Sequence, residues 1–134
     1  FEGLKQVHAW VSIDGTWEQG PGPRQTPEAQ GIAYTLSECM TCGCCLEACP
    51  NVNDRSPFMG PAVISQVRLF NLHPTGRSTA PERLEALMGE GGIHECGNAQ
   101  NCAAVCPKGI PLTTSIAAMN RDVTLHAVRT RLGF

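Results

Sequence analysis

The sequence predicts an all-α fold. Three observations carry the prediction: two apolar stripes at helical spacing, hardly any alternating pattern of the kind a strand needs, and cysteines gathered in two groups that fall between the helical stretches. At the start of the chain "VHAWVSID" alternates apolar positions, but Leu4 and Val7 equally begin a helical turn. "GPGPR" then imposes an irregular turn, and Trp10 and Trp17 read as aromatic anchors flanking a turn. A stripe of Val63, Val67 and Phe70 runs from Gly60-Pro61 until His73-Pro74 stops it, because the residue before a proline is pushed out of the helical region. Thr79 and Glu82 have the spacing of a capping box for a short helix ending at Gly89. After Pro111, the residues Leu112, Ile116, Met119, Val123 and Ala127 step along one face of a long helix, which is read as core, with Gly133 near its end.

The chain has 134 residues, enough for one domain or a little more and for a modest core that metal or covalent cross-links would reinforce. With 10 basic and 12 acidic side chains the formal net charge is -2, and no basic patch points to nucleic acid. The longest weakly polar stretches, such as "FMGPAVISQV", are too short to cross a bilayer, and no signal peptide opens the chain, so a soluble protein is expected. The start at Phe1 reads as that of a processed or truncated chain.

The distinguishing feature is eight cysteines in two groups: Cys39, Cys42, Cys44, Cys45 and Cys49, then Cys96, Cys102 and Cys106. A disulfide scaffold usually spreads its cysteines along the chain, and a structural zinc site usually takes two separated C-x2-C pairs. Neither pattern is present. From Cys39 through Cys42, Cys45 and Cys49 to Pro50, the first group reads C-x2-C-x2-C-x3-C-P, the run of bacterial-type ferredoxins. Three cysteines at that spacing let a short segment fold around one corner of an iron-sulfur cube. The cysteine after x3 belongs to a second cluster, and proline ends the loop. Crossed ligation of this kind requires a second motif, and "CGNAQNCAAVCP" supplies Cys96-x5-Cys102-x3-Cys106-Pro107. A full motif would carry cysteine at position 99, where Ala99 stands. Crossing then gives Cys39, Cys42, Cys45 and Cys106 to a [4Fe-4S] cluster, and Cys49, Cys96 and Cys102 to a [3Fe-4S] cluster. Cys44 is left over. It can replace Cys45 only by breaking the spacing, and it is read as a buried thiol beside the cluster.

These motifs resemble those of the iron-sulfur subunit of succinate dehydrogenase and fumarate reductase. The gap of roughly fifty residues between the motifs, the missing cysteine at Ala99 and the exit "CPKGIP" occur together. "LKQVHAW" looks like the family's linker, "GPAVISQVRLF" like its intermotif helix, and "CGNAQNCAAVCPKGIPLTTSIAAMNR" like its second loop and last helix. The resemblance implies an α-helical ferredoxin domain over residues 38–134. Residues 1–37 would then be the linker or extension from an N-terminal [2Fe-2S] domain that is missing here. It further implies a flavoprotein partner carrying FAD and a membrane anchor at the cytoplasmic face of a bacterial inner membrane, or the matrix face of a mitochondrion. The chain would relay electrons from succinate oxidation towards quinone. Ubiquinone-reducing relatives place a tryptophan shortly after the first "CP" and a histidine directly after the fifth ligand, where this chain has "PNVNDRSPF" and Gly97. That departure is similar to the branch that uses b-type haem in the anchor and menaquinone.

Two other readings stay open: a free two-cluster ferredoxin, and an iron-sulfur subunit of the heterodisulfide reductase or glycolate oxidase type. Both normally have a complete second motif, and Ala99 counts against them. The ligands do not give the direction of flow, succinate oxidation or fumarate reduction. His8, His73, His94 and His126 are scattered without a nucleophile or carboxylate partner and read as surface or hydrogen-bonded residues, with His94 singled out by its nearness to Cys96. Lys108 and Arg68 read as solvated. No catalytic residue is assigned.

Overall fold

The computed structural model describes residues 1–11 and 24–133. Every regular element among them is helical: α1 (Glu2–Gln6), α2 (Pro27–Ser37), α3 (Cys44–Glu47), α4 (Pro61–Leu72), α5 (Ala80–Met88), α6 (Asn101–Val105) and α7 (Leu112–Leu132). Single 3-10 turns stand at Gly76–Thr79 and Ile93–Glu95. Trp17 and nearly all of the "GPGPR" turn lie outside the described residues.

Helices α4 and α7 form the central pair, with α1 and α2 against α4 and α5 against α7. The stripes end up where periodicity puts them: Val63 and Val67 from α4 and Leu112, Ile116 and Met119 from α7 are buried, with Val123 packed at the edge of the core. Pro61 begins α4 with its fixed φ already helical, and His73 leaves it in extended conformation, as a residue before proline must. Gly133 closes α7 at φ 73, its N–H donating to the Arg129 carbonyl. Near the start, the choice between strand and helix at Leu4 and Val7 goes to helix, and Val7 is fully buried.

Two elements differ from expectation. Residues read as linker contain α2, capped by Thr26, whose Oγ1 accepts from the Ala29 N–H at 3.2 Å, with Pro27 in the first turn. The signal Thr-Pro-Glu is in the sequence, but α2 buries only Leu36, so no apolar stripe accompanies it. Thr79 does stand at the N-cap of α5, yet its side chain makes no capping bond. Its hydroxyl donates to the Gly76 carbonyl at 3.1 Å and accepts from Arg83 Nη2 at 2.8 Å.

Arg83 explains that change. It is completely buried, and every guanidinium N–H is used. Nε donates to the His8 carbonyl, Nη1 to Asn71 Oδ1 and the Gly76 carbonyl, and Nη2 to the Trp10 carbonyl and Thr79 Oγ1, at 2.8–3.1 Å. The guanidinium carbon lies 5.8 Å from the centre of the Phe70 ring. Burial lowers its pKa from the ordinary value, with the Glu82 carboxylate opposing. Trp10 thus anchors the N-terminal segment through its backbone carbonyl, while its ring is 45% exposed beside His8.

Candidate metal centres

The first cysteine loop leaves α2 at Cys39 and reverses through two residues with positive φ, Thr41 at 54° and Gly43 at 81°. Gly43 is needed for that φ rather than for space, since nothing lies within 4 Å of where its Cβ would be. The short helix α3 then starts at Cys44. Adjacent helical residues project about 100° apart, so Cys45 turns into the core while Cys44 turns out. Cys44 is exposed, which corrects the reading of it as a buried thiol.

The second loop enters through the 3-10 turn at Ile93–Glu95 and passes through Asn98 at φ 56° and Gln100 at φ 64° before α6. Asn tolerates the left-handed region; for Gln it is uncommon and marks a tightly held turn. Cys102 is buried on α6, and Cys106 follows that helix.

Between these loops lie two pockets. Cys39, Cys42, Cys45 and Cys106 line one, whose remaining wall includes Met40, Leu46, Ala62, Ile110 and Leu112. Cys49, Cys96 and Cys102 line the other, together with Ala99, Phe58, Ile116 and the amide residues Asn51, Asn98, Gln100 and Asn101. The fold therefore brings together the same two sets of thiols that crossed spacing predicts, with Ala99 in the wall of the three-thiol pocket. Among the described residues, no three Cys, His, Asp or Glu side chains converge closely enough to grip a single ion. Thiols spread around a pocket with apolar walls suit a multi-iron cluster, whose irons each take a separate sulfur, and do not suit one tetrahedral zinc.

The electrostatics follow burial. Desolvation pushes the Cys45 and Cys102 thiols up from their ordinary pKa, a cost that binding to a cationic metal would reverse. Cys42 is held below the usual thiol range by hydrogen bonds from the backbone N–H and then the side chain of Cys44, while Cys44 is pushed up by the same partner. Cys44 thus stands in the surroundings of Cys42 without lining either thiol pocket.

Other side chains fall mostly into ordinary roles. His73 Nδ1 accepts from the Thr75 and Gly76 N–H groups, His126 lies 3.7 Å from Glu85, and His94 is exposed and lines neither pocket. Lys108 is exposed at the rim of the four-thiol pocket. Arg68, expected to be solvated, is half-buried and donates to Ser115 Oγ at 3.2 Å. Sequence reasoning missed the asparagines of the three-thiol pocket. Asn51 Nδ2 donates to the Glu95 carbonyl at 2.8 Å, and Asn101 Nδ2 to the Ala48 carbonyl at 3.0 Å. Neither bond leaves a local signature, because the partners are 44 and 53 residues apart.

Comparison with known proteins agrees with this geometry. The family model described as "4Fe-4S dicluster domain" matches residues 35–110, a span that includes all eight cysteines. The chain is 65% identical to the succinate dehydrogenase iron-sulfur subunit of Bacillus subtilis over 99% of its own length and 53% of the relative's. It is 30% identical to the fumarate reductase iron-sulfur subunit of Wolinella succinogenes, over 92% of this chain and 52% of that one. Against the mitochondrial succinate dehydrogenase [ubiquinone] iron-sulfur subunit 3 of Arabidopsis thaliana, identity is 28% over 89% of this chain and 39% of that one. The chain spans about half the length of the first two relatives. It belongs to the 4Fe-4S dicluster domain family and is a homologue of the iron-sulfur subunits of succinate dehydrogenase and fumarate reductase.

Proposed function

We propose that this chain is the two-cluster part of an iron-sulfur subunit of succinate:quinone oxidoreductase. Residues 38–134 form the α-helical ferredoxin domain, and residues 1–37 lead into it from a domain that holds a [2Fe-2S] cluster. Cys39, Cys42, Cys45 and Cys106 hold a [4Fe-4S] cluster, and Cys49, Cys96 and Cys102 a [3Fe-4S] cluster. When bound, such clusters supply one-electron sites, which link a two-electron oxidation at flavin to stepwise reduction of quinone. The residues themselves would hold the clusters and orient the thiols, Cys45 and Cys102 from buried positions and Cys42 from an exposed one. No side chain pair in either pocket resembles an acid-base machine, so the succinate chemistry belongs to an FAD-bearing partner.

The observation that carries the reading is the exchange between motifs: Cys106 joins the pocket of the first loop, and Cys49 joins that of the second. Partners follow from the family: a flavoprotein, and a membrane anchor with b-type haem that passes electrons to menaquinone. The departures from the ubiquinone-reducing pattern at "PNVNDRSPF" and Gly97 support that branch. Among the described residues, no helix is long and apolar enough to cross a membrane. By the family resemblance the chain sits against the anchor at the cytoplasmic face of the membrane, or the matrix face in a mitochondrion. The contact lies on the side of Cys49, Cys96 and Cys102.

Electron paramagnetic resonance of the purified complex tests the cluster assignment. One three-iron and one four-iron signal from this chain are expected. A second four-iron signal in place of the three-iron one refutes the [3Fe-4S] assignment. Cross-linking tests the docking side, and anchor cross-links confined to residues 1–20 rule it out.

A further inference from the structure

The two pockets are built differently. Across the three-thiol pocket, two side-chain amides join the backbones of the two motifs, each beside a thiol. Asn51, two residues after Cys49, reaches the carbonyl of Glu95, the residue before Cys96. Asn101, the residue before Cys102, reaches the carbonyl of Ala48, the residue before Cys49. Both asparagines also line the pocket. Around the four-thiol pocket, among the described residues, no hydrogen bond runs between the segment 39–45 and the segment 105–110. Gly97 completes the arrangement: a Cβ there would lie 2.9 Å from Asn51 Oδ1, so the glycine admits the Asn51 side chain to its place.

This asymmetry matches the supply of ligands. A cluster with four thiols is attached at every corner, and its metal-sulfur bonds themselves fasten the loops. Each pocket takes a single thiol from the opposite motif, Cys106 in one and Cys49 in the other, but in the three-thiol pocket Ala99 provides no sulfur, so its home motif contributes two thiols where the other pocket's contributes three. Fewer bonds then hold the loops, and hydrogen bonds across the gap are what keep Cys49 in register with Cys96 and Cys102. We propose that Asn51 and Asn101 are positioning residues for the three-thiol pocket, acting as straps that set how firmly it retains its cluster. The inference rests on the cluster reading above.

The test uses the cluster-loaded complex, exposed to a fixed mild concentration of urea with an iron chelator, while both resonance signals are followed. A hydrogen bond of ordinary strength corresponds to a factor of roughly 2 to 10 in an equilibrium. Asn51→Ala, which removes the half-buried strap, should speed loss of the three-iron signal about fivefold, and Asn101→Ala, on the exposed strap, about twofold. Together they should speed it about tenfold, with loss of the four-iron signal unchanged within about twofold. Gly97→Ala should act like Asn51→Ala, and adding it to Asn51→Ala should cost little more, because both perturb one contact. Equal acceleration of both signals would make the straps general fold supports and overturn the proposal. So would an unchanged three-iron signal in the double variant. If the wild-type complex shows a second four-iron signal instead, the cluster reading fails by itself, and the straps are judged on the loss rate of that second signal. Absence of any cluster signal from this chain overturns both.

Discussion

Arg83→Met removes a guanidinium that uses all its donors on neutral oxygens in a fully buried position. Hydrogen bonds from a charged donor contribute about 1.5 kcal/mol each at the low end of their range, so the set is worth roughly 7 kcal/mol. Removing the group also recovers the several kcal/mol spent on desolvating a charge that forms no salt bridge among the described residues, the Glu82 carboxylate acting only at longer range. The Met side chain keeps most of the packing against Phe70. The difference, about 3–4 kcal/mol, is the expected loss of stability, and at about 4 °C per kcal/mol for a chain of this size it lowers Tm by roughly 12–16 °C. Lysine keeps the charge but has three donors and no planar fork, so Arg83→Lys should fall between Met and wild type. The loss should be concentrated where the bonds lead. Backbone amides of Val7 to Trp10 should lose hydrogen-exchange protection first, because the His8 and Trp10 carbonyls are the groups released. Circular dichroism gives Tm, and exchange mass spectrometry gives the location. A Met variant within about 1 kcal/mol of wild type, or one whose N-terminal segment stays as protected as before, refutes the reasoning.

Other perturbations address the site and the core. Ala99→Cys, in the wall of the three-thiol pocket, should restore C-x2-C-x2-C, convert the proposed [3Fe-4S] cluster to [4Fe-4S] and lower its potential; a persisting three-iron signal with an alkylatable new thiol refutes the placement. In that variant, electron delivery to quinone should slow while succinate oxidation with an artificial upstream acceptor largely survives. Cys44→Ser should leave iron and sulfide content intact, whereas Cys45→Ser should remove the four-iron cluster; the reverse outcome exchanges their roles. Leu87→Ala, at a fully buried site on α5, should cost about 2–5 kcal/mol in urea unfolding, and less than about 1 kcal/mol would mean the site collapses freely.

What could be read from the sequence was what local chemistry decides. Helices α4 and α7 announce themselves by periodicity and by Pro61 and Gly133 at their ends, and α5 by the Thr79–Glu82 spacing and Gly89. The sorting of thiols between two pockets was legible because x2 and x3 spacings restrict which sulfurs reach one cube. Helices α3 and α6 were not, since four and five residues are too few to show a period. Cys44 and Cys45 have the same chemistry, and only the onset of α3 between Gly43 and Cys45 decides which one faces inward. Asn51 and Asn101 act across 44 and 53 residues, and Arg83 reaches the His8 and Trp10 carbonyls across 75 and 73, distant partners that nothing nearby in the sequence announces.

Helix α7 also serves as a ruler. Leu112 forms part of the wall of one pocket and Ile116 part of the other, one turn apart on the same continuous helix, about 6 Å along its axis. The offset between the two centres is thereby tied to peptide geometry, which is far stiffer than the packing of side chains. Electron tunnelling falls off steeply with separation, so a scaffold that fixes separation through the backbone keeps the transfer rate insensitive to substitutions in the surrounding core. Such substitutions should reach the point of unfolding before they retune the distance an electron must cross.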